Sequence, residues 1–271
     1  MNPENPEIKD YQQEPEKEPQ GDSLLNLPRL ENIRLLISYD GTDYHGWQRQ
    51  LGRKTIQGEI EKSLQRILGE KINLQAAGRT DAGVHALGQV ANFHSNCRLT
   101  NSELLRALNA MLPHDIRILA VERVPLNFHS RKWAKSKVYR YRIKISPIIS
   151  PFDFRYVLHY PYQLDLQAMK QAASLFERED DFSAFSSSCY QNPVRRVILS
   201  RLENSDDELI YTIEANGFLR YMVRTIVGTL LMVGRGRLKP EDIEVLFREK
   251  KRTLSSPTAP AKGLCLIRVN Y

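Results

Sequence analysis

The chain has 271 residues, 41% hydrophobic and 26% charged, a mixture that can bury a core and excludes global disorder. Its apolar runs end well before 18 residues, and its three cysteines (Cys97, Cys189 and Cys265) are scattered and odd in number, which excludes a transmembrane helix, a disulfide framework and a Cys-rich zinc site. The formal charge of +7 is unevenly spread: residues 1–30 carry seven acidic and three basic side chains, a net of −4 that leaves +11 on residues 31–271 and suits a polyanionic partner.

In chain order, residues 1–29 are rich in Pro, Glu, Gln and Asn and predict a disordered acidic tail. They contain no apolar h-region of a secretory signal, so a cytoplasmic chain is expected. Alternation of Ile33, Leu35, Ile37 and Tyr39 predicts a strand that breaks at Asp40-Gly41. Thr55 to Leu68 predicts a helix with Ile56, Ile60, Leu64 and Ile67 on one face and Gly69 as its stop. A strand over Gln89 to His94 follows. Thr100-Asn101-Ser102-Glu103 is then a capping box for a helix carrying Leu104, Leu105 and Leu108 and ended by Pro113, and Ile116 to Val124 returns as a strand.

A second round begins with a strand over Val138 to Ile143 and a helix capped by Asp165 and running through Phe176. Leu209, Tyr211 and Ile213 mark another strand. An apolar helix spans about Leu219 to Val233, Pro240 opens a short helix, and Leu264 to Val269 is a last strand. Strands and helices mingle without a strict βαβ rhythm. The expected class is α+β in two lobes, residues 30–128 and 129–271, each a mainly antiparallel sheet with helices on one face.

Three segments carry chemistry. Ala77-Gly78-Arg79-Thr80-Asp81-Ala82-Gly83-Val84-His85 sets an acid beside a base among small residues that let a backbone approach a ligand. Asp81 in it fits a nucleophile, a base or an anchor, while on general grounds a capped turn is the plainer reading. From Arg131 to Lys144 there are seven bases, no acid and three aromatics. As a strand this segment places Tyr139, Tyr141 and Ile143 on one face and Arg140, Arg142 and Lys144 on the other. Bases for phosphates and rings for nucleobases are what RNA recognition uses; a solvated edge strand guarded by lysines fits equally well. In the third segment Arg224 lies inside a helix that is apolar nearly all round, so its guanidinium needs an anionic partner. The six histidines show no ligand spacing, and no metal is expected. Asp40 to Gln50 is dense in polar and aromatic groups, compatible with a hairpin loop or with a substrate-touching loop.

Ser38 to Gln50, Ala77 to His85, the pair Tyr139 and Tyr141, Met222-Val223-Arg224, and Ala259-Pro260-Ala261-Lys262-Gly263-Leu264 occur in that order and together resemble the bacterial tRNA pseudouridine synthase A family over residues 31–271. The resemblance implies an isomerase that converts uridine to pseudouridine at positions 38–40 of the tRNA anticodon stem-loop. It implies Asp81 as nucleophile, Arg79 as the residue that holds the flipped nucleotide or fills its place, and Arg224 as the partner of Asp81. Tyr139 would pack on the uracil, and Leu264 would line the base pocket. It further implies no metal, no organic cofactor, and a homodimer whose two lobes flank a basic cleft. Lys132 stands where the family often carries an aromatic residue, and Trp133 supplies one a position later.

Two other classes share parts of this pattern. A non-catalytic RNA-binding protein has no use for an ionised acid near phosphate. A metal-dependent nuclease would need Asp40, Asp43 and Asp81 to converge on Mg²⁺ and would stop in EDTA.

Overall fold

The computed structural model describes residues 30–251 and 256–271; the predicted acidic tail lies outside them. The element order is β1 (Glu31–Tyr39), α1 (Ile56–Leu68), β2 (Gln75–Ala76), β3 (His85–Ser95), α2 (Asn101–Met111), β4 (Ile116–Val124), β5 (Ser136–Lys144), β6 (Leu158–His159), α3 (Leu166–Ser174), β7 (Glu179–Asp181), β8 (Val194–Ser205), β9 (Glu208–Ala215), α4 (Met222–Gly234), α5 (Asp242–Glu249) and β10 (Leu264–Asn270). The class is α+β.

Local chemistry sets the helix ends. The Thr55 hydroxyl accepts from Gly58 N–H at the start of α1, and Gly69 closes it in the left-handed conformation at φ 72°. Thr100 and Glu103 form the reciprocal capping box on α2, and the Asp165 side chain caps α3.

The strands run β4-β1-β3-β10-β5-β9-β8-β7, with β2 beside β3 and β6 beside β5. Pairing is antiparallel except β10 with β3 and β5 with β6. One sheet therefore serves both rounds of the sequence, where two separate sheets were expected. The last strand joins them, because β10 takes Tyr139 and Tyr141 opposite Leu266 and Leu264 on one side and His85 and Ala86 opposite Cys265 and Leu266 on the other.

The sequence reading also missed β8. Arg196, Arg201 and Glu203 are exposed, and only Val197, Ser200 and Leu202 are buried, too few to show a period of two. In addition β5 is not an edge strand: β10 and β9 flank it. The guarded-edge explanation of its lysines is thereby removed. A single apolar cluster includes Ile33, Leu35 and Ile37 of β1, Tyr139 and Tyr141 of β5, Tyr211 of β9 and the inner faces of α1 to α5.

Candidate active site

The loop between β2 and β3 carries Asp81, and it is fixed by hydrogen bonds from several sides. Trp47 N–H donates to the Thr80 carbonyl at 3.0 Å, and Gly83 N–H donates to the Tyr44 carbonyl at 3.3 Å. The Tyr39 and Thr80 hydroxyls are 2.8 Å apart, and the Gln89 amide donates to the Gly78 carbonyl at 2.8 Å. Gly46 lies against this loop with φ +84°; a Cβ there would be 2.6 Å from the Thr80 carbonyl oxygen. Only glycine fits both the conformation and the space. The segment 40–50, which the sequence left open, is thus a floor for the Asp81 loop.

His85 ends the loop and ties it to a third segment. Its Nε2–H donates to the Lys262 carbonyl at 3.2 Å, while Nδ1 accepts from Gly41 N–H at 3.1 Å. That pattern is the neutral ring. Burial pushes the His85 pKa down; Asp40, whose carboxylate lies 3.1 Å from Nδ1, pulls the other way. Tyr156 donates to the other Asp40 oxygen at 2.9 Å, and its ring meets His85 edge-on.

The second half of the chain delivers Arg224 from the first turn of α4. Arg224 Nη1 lies 3.4 Å from Asp81 Oδ2, with side-chain exposures of 15% and 27%. The pair foreseen from the sequence exists, as a single long contact and not a two-armed fork, while Nε donates to the Ala259 carbonyl at 2.8 Å. The guanidinium also sits over the Tyr221 ring, 4.9 Å from its centroid, with Arg220 5.0 Å from the same centroid. Tyr221 holds φ +64°, a left-handed conformation rare for an aromatic residue, immediately before α4. Burial raises the Asp81 pKa above the ordinary carboxylate value, and Arg224 and Arg220 oppose that rise. Asp81 Oδ1 takes no hydrogen bond among the described residues.

Tyr139 and Leu264 come from adjacent strands in the middle of the sheet. Tyr139 is 7% exposed, its ring meets Phe218 edge-on at 5.0 Å, and its hydroxyl makes no hydrogen bond among the described residues. Burial raises its pKa first, and the Asp81 charge adds to that. Leu264 is buried opposite Tyr141, whose hydroxyl donates to the Pro260 carbonyl at 2.7 Å. Arg79 is exposed, and its side chain makes no hydrogen bond or ion pair among the described residues. Asp81, Arg224 and Tyr139 are thus neighbours, Leu264 lies one strand from Tyr139, and Arg79 is free at the loop surface.

Sequence reasoning missed the supports. Tyr39 reads as one more core residue, and Gln89 as part of a strand. Tyr221 stands three positions before Arg224, one helical turn, which was the available signal. Asp43 pairs with Arg155 at 3.5 Å, and Asp40 is taken up by Thr42, Tyr156 and His85; among the described residues no group of three His, Cys, Asp or Glu is placed to hold a metal ion.

The site combines a positioned carboxylate, one oxygen of which takes no hydrogen bond among the described residues, a phenol likewise without one, and fixed positive charge. Such a set can deliver a nucleophile or a base to a planar substrate and stabilise charge formed there. A family model described as tRNA pseudouridine synthase matches residues 35–131 and 172–271, which include Asp81, Arg79, Arg224 and Leu264; Tyr139 lies in the segment between the two matched stretches. The chain is similar to the tRNA pseudouridine synthase A of Thermodesulfovibrio yellowstonii, with 44% identity over 254 residues covering 89% of this chain and 100% of that relative. It is similar in the same degree to the proteins of that name in Acetivibrio thermocellus and Caldicellulosiruptor saccharolyticus, with 44% and 45% identity over 244 residues, 89% of this chain and 100% of each relative.

Proposed function

Since the chain belongs to the tRNA pseudouridine synthase family, and is thereby an isomerase of tRNA uridine, we propose that it acts on positions 38–40 of the anticodon stem-loop through Asp81, without metal or organic cofactor. The observation that carries this reading is the Asp81–Arg224 contact at 3.4 Å beside Tyr139. Isomerisation of a uridine already in RNA is internal: the N1–C1′ bond breaks, the uracil turns, C1′ bonds to C5, the C5 proton leaves to solvent, and N1 takes up a proton in its place. Asp81 supplies the electron pair for a transient covalent adduct that divides the exchange into two easier steps. Arg224 aims the carboxylate and compensates its charge in a partly dry site.

The target uridine is stacked in the stem-loop, so it must be extruded before Asp81 reaches it. Arg79, exposed on the same loop, takes the vacated place or holds the flipped nucleotide. Tyr139 packs on the uracil, and Leu264 closes the pocket at its apolar edge. The basic body of residues 31–271, as two lobes 30–128 and 129–271 about a cleft, holds the RNA backbone. The working form is a cytoplasmic homodimer. No helix among the described residues is long and apolar enough to cross a membrane.

Release of tritium from C5-labelled uridine in an unmodified anticodon stem-loop transcript tests the reading. Wild-type protein releases it with EDTA present. Asp81→Asn keeps the size, loses the charge, still binds tRNA and releases none; substantial turnover by that variant removes Asp81 as nucleophile.

A further inference from the structure

Lys137 is the second residue of β5, on the same face of that strand as Tyr139 and Tyr141, and it is 9% exposed. A face that otherwise buries rings and aliphatic chains here buries an ammonium. Its stem lies along the Asp81 loop: a Cβ at Gly78 would be 3.3 Å from Lys137 Cε and 3.6 Å from Cδ. No carboxylate and no hydrogen-bond acceptor meets the ammonium among the described residues. Its charged neighbours are two further cations, Arg131 and Arg195.

Neither arginine has an anionic partner. Arg195, half-buried, donates only to the carbonyls of Asn192 and Val194, at 2.9 and 2.6 Å. Arg131 is exposed, and its guanidinium contacts no protein acceptor among the described residues. Burial and the two like charges both hold the Lys137 pKa below the ordinary lysine value. An unpaired buried cation destabilises the free protein, and two guanidinia beside it make that worse. Lys137 faces Ala215 across the β5–β9 pairing and Ala215 faces Val197 across the β9–β8 pairing, so Arg195, two residues before Val197, stands on the same side of the sheet; a group of cations without an acceptor among the described residues invites an anion.

We propose that Lys137, Arg131 and Arg195 form a binding site for a single phosphodiester of the RNA backbone, set against the Asp81 loop at Gly78. The proposal rests on tRNA as the substrate and locates one phosphate relative to the reacting nucleotide. The charge of the phosphate compensates Lys137, and Arg131 and Arg195 close on its outer oxygens. Substrate binding then removes a penalty that the free protein carries, so this phosphate is felt at the Asp81 loop and not only at the surface.

The test is tRNA affinity as a function of salt, in an Asp81→Asn background so that no turnover intervenes. Each phosphate neutralised contributes about 0.7–0.9 to the slope of log K against log salt. Lys137→Met and Arg195→Gln each lower the slope by up to about one, and the double variant lowers it by no more than the larger single effect, since one phosphate is shared. Lys137→Arg restores the slope. Without tRNA, Lys137→Met melts no lower than the parent protein, because an unpaired buried charge has been removed.

With Asp81 present, the loss falls on KM more than on the single-turnover rate at saturating tRNA. Unchanged slopes in both single variants overturn the site. Additive slope losses replace one shared phosphate by separate surface contacts and also overturn it, and a lower melting temperature for Lys137→Met gives the lysine a structural role instead. Failure of tritium release by wild-type protein bears on Asp81 and leaves the slopes untouched, so the two readings fail separately.

Discussion

Two cations approach the Asp81 loop from opposite parts of the chain, and they are provided for in opposite ways. Arg224 reaches it from α4 with a carboxylate, a backbone carbonyl and an aromatic face around its guanidinium. Lys137 reaches it from β5, more deeply buried than most of the basic residues, with only other cations for company. A fully partnered cation is a positioning device: its contacts exist before substrate arrives and fix one geometry. A cation without a partner carries unspent interaction that only a ligand can use. The same loop is thus oriented from one side and left waiting on the other.

The largest expected effect comes from spoiling the partnered side. Arg224→Lys keeps the charge but cannot hold Asp81, the Ala259 carbonyl and the Tyr221 face at once. Turnover falls by on the order of 10²-fold with the fold retained, measured by single-turnover tritium release and circular dichroism. In a double-mutant cycle, Asp81→Ala and Arg224→Met couple by about 0.5–3 kcal/mol, and the double variant is less destabilised than the sum, since Asp81→Ala alone strands the guanidinium. Full additivity would dissolve the contrast between the two cations.

Gly46→Ala acts on the floor instead of the pair. The left-handed φ and the clash with the Thr80 carbonyl cost about 1–3 kcal/mol, read as a lower urea midpoint, and they displace Asp81 from Arg224. A variant as stable and active as the parent would show that the loop needs no floor.

His85 sharpens the comparison by pH. Its folded pKa is depressed, so the unfolded chain takes up the proton first. The associated stability is present above about pH 6.5 and is lost as pH falls from there towards the lower folded value. The urea midpoint of the parent therefore drops more between pH 7.5 and 5.5 than that of His85→Asn. Asp81 contributes with the opposite sign and at lower pH, because its folded pKa is raised.

The smallest effect belongs to Arg140, three residues beyond Lys137 on the exposed face of β5. Arg140→Ala changes stability by no more than about 0.5 kcal/mol and leaves the free-protein melting temperature where it was, whereas Lys137→Met does not lower it at all and can raise it.

Helices and strands whose apolar residues repeat cleanly were legible in the sequence. The capping box at Thr100 and the left-handed stop at Gly69 appear where the local chemistry puts them. β8 was not legible because a strand on the outer part of a sheet buries only a few of its side chains. The Asp81–Arg224 pair was legible because a charge within an apolar helix demands an answer, and the resemblance named the other member. Its single-contact form was not, nor was the second anchor of the guanidinium, since Ala259 is 35 residues away in sequence. Nor was the role of residues 40–50: their polar groups are spent on the backbone of another loop, a use that composition cannot distinguish from contact with substrate.

β10 follows every other strand in the chain and yet occupies the middle of the sheet. A chain emerging from the ribosome therefore presents β3 and β5 with open sides until β10 has been made, and open strand sides invite pairing with other chains. The His85–Lys262 hydrogen bond closes across 177 residues, a long-range contact of the kind that slows folding. The completed Asp81 loop is accordingly a late event in the life of each molecule: Asp81 is made early, but its surroundings are assembled only when β10 slides into the seam.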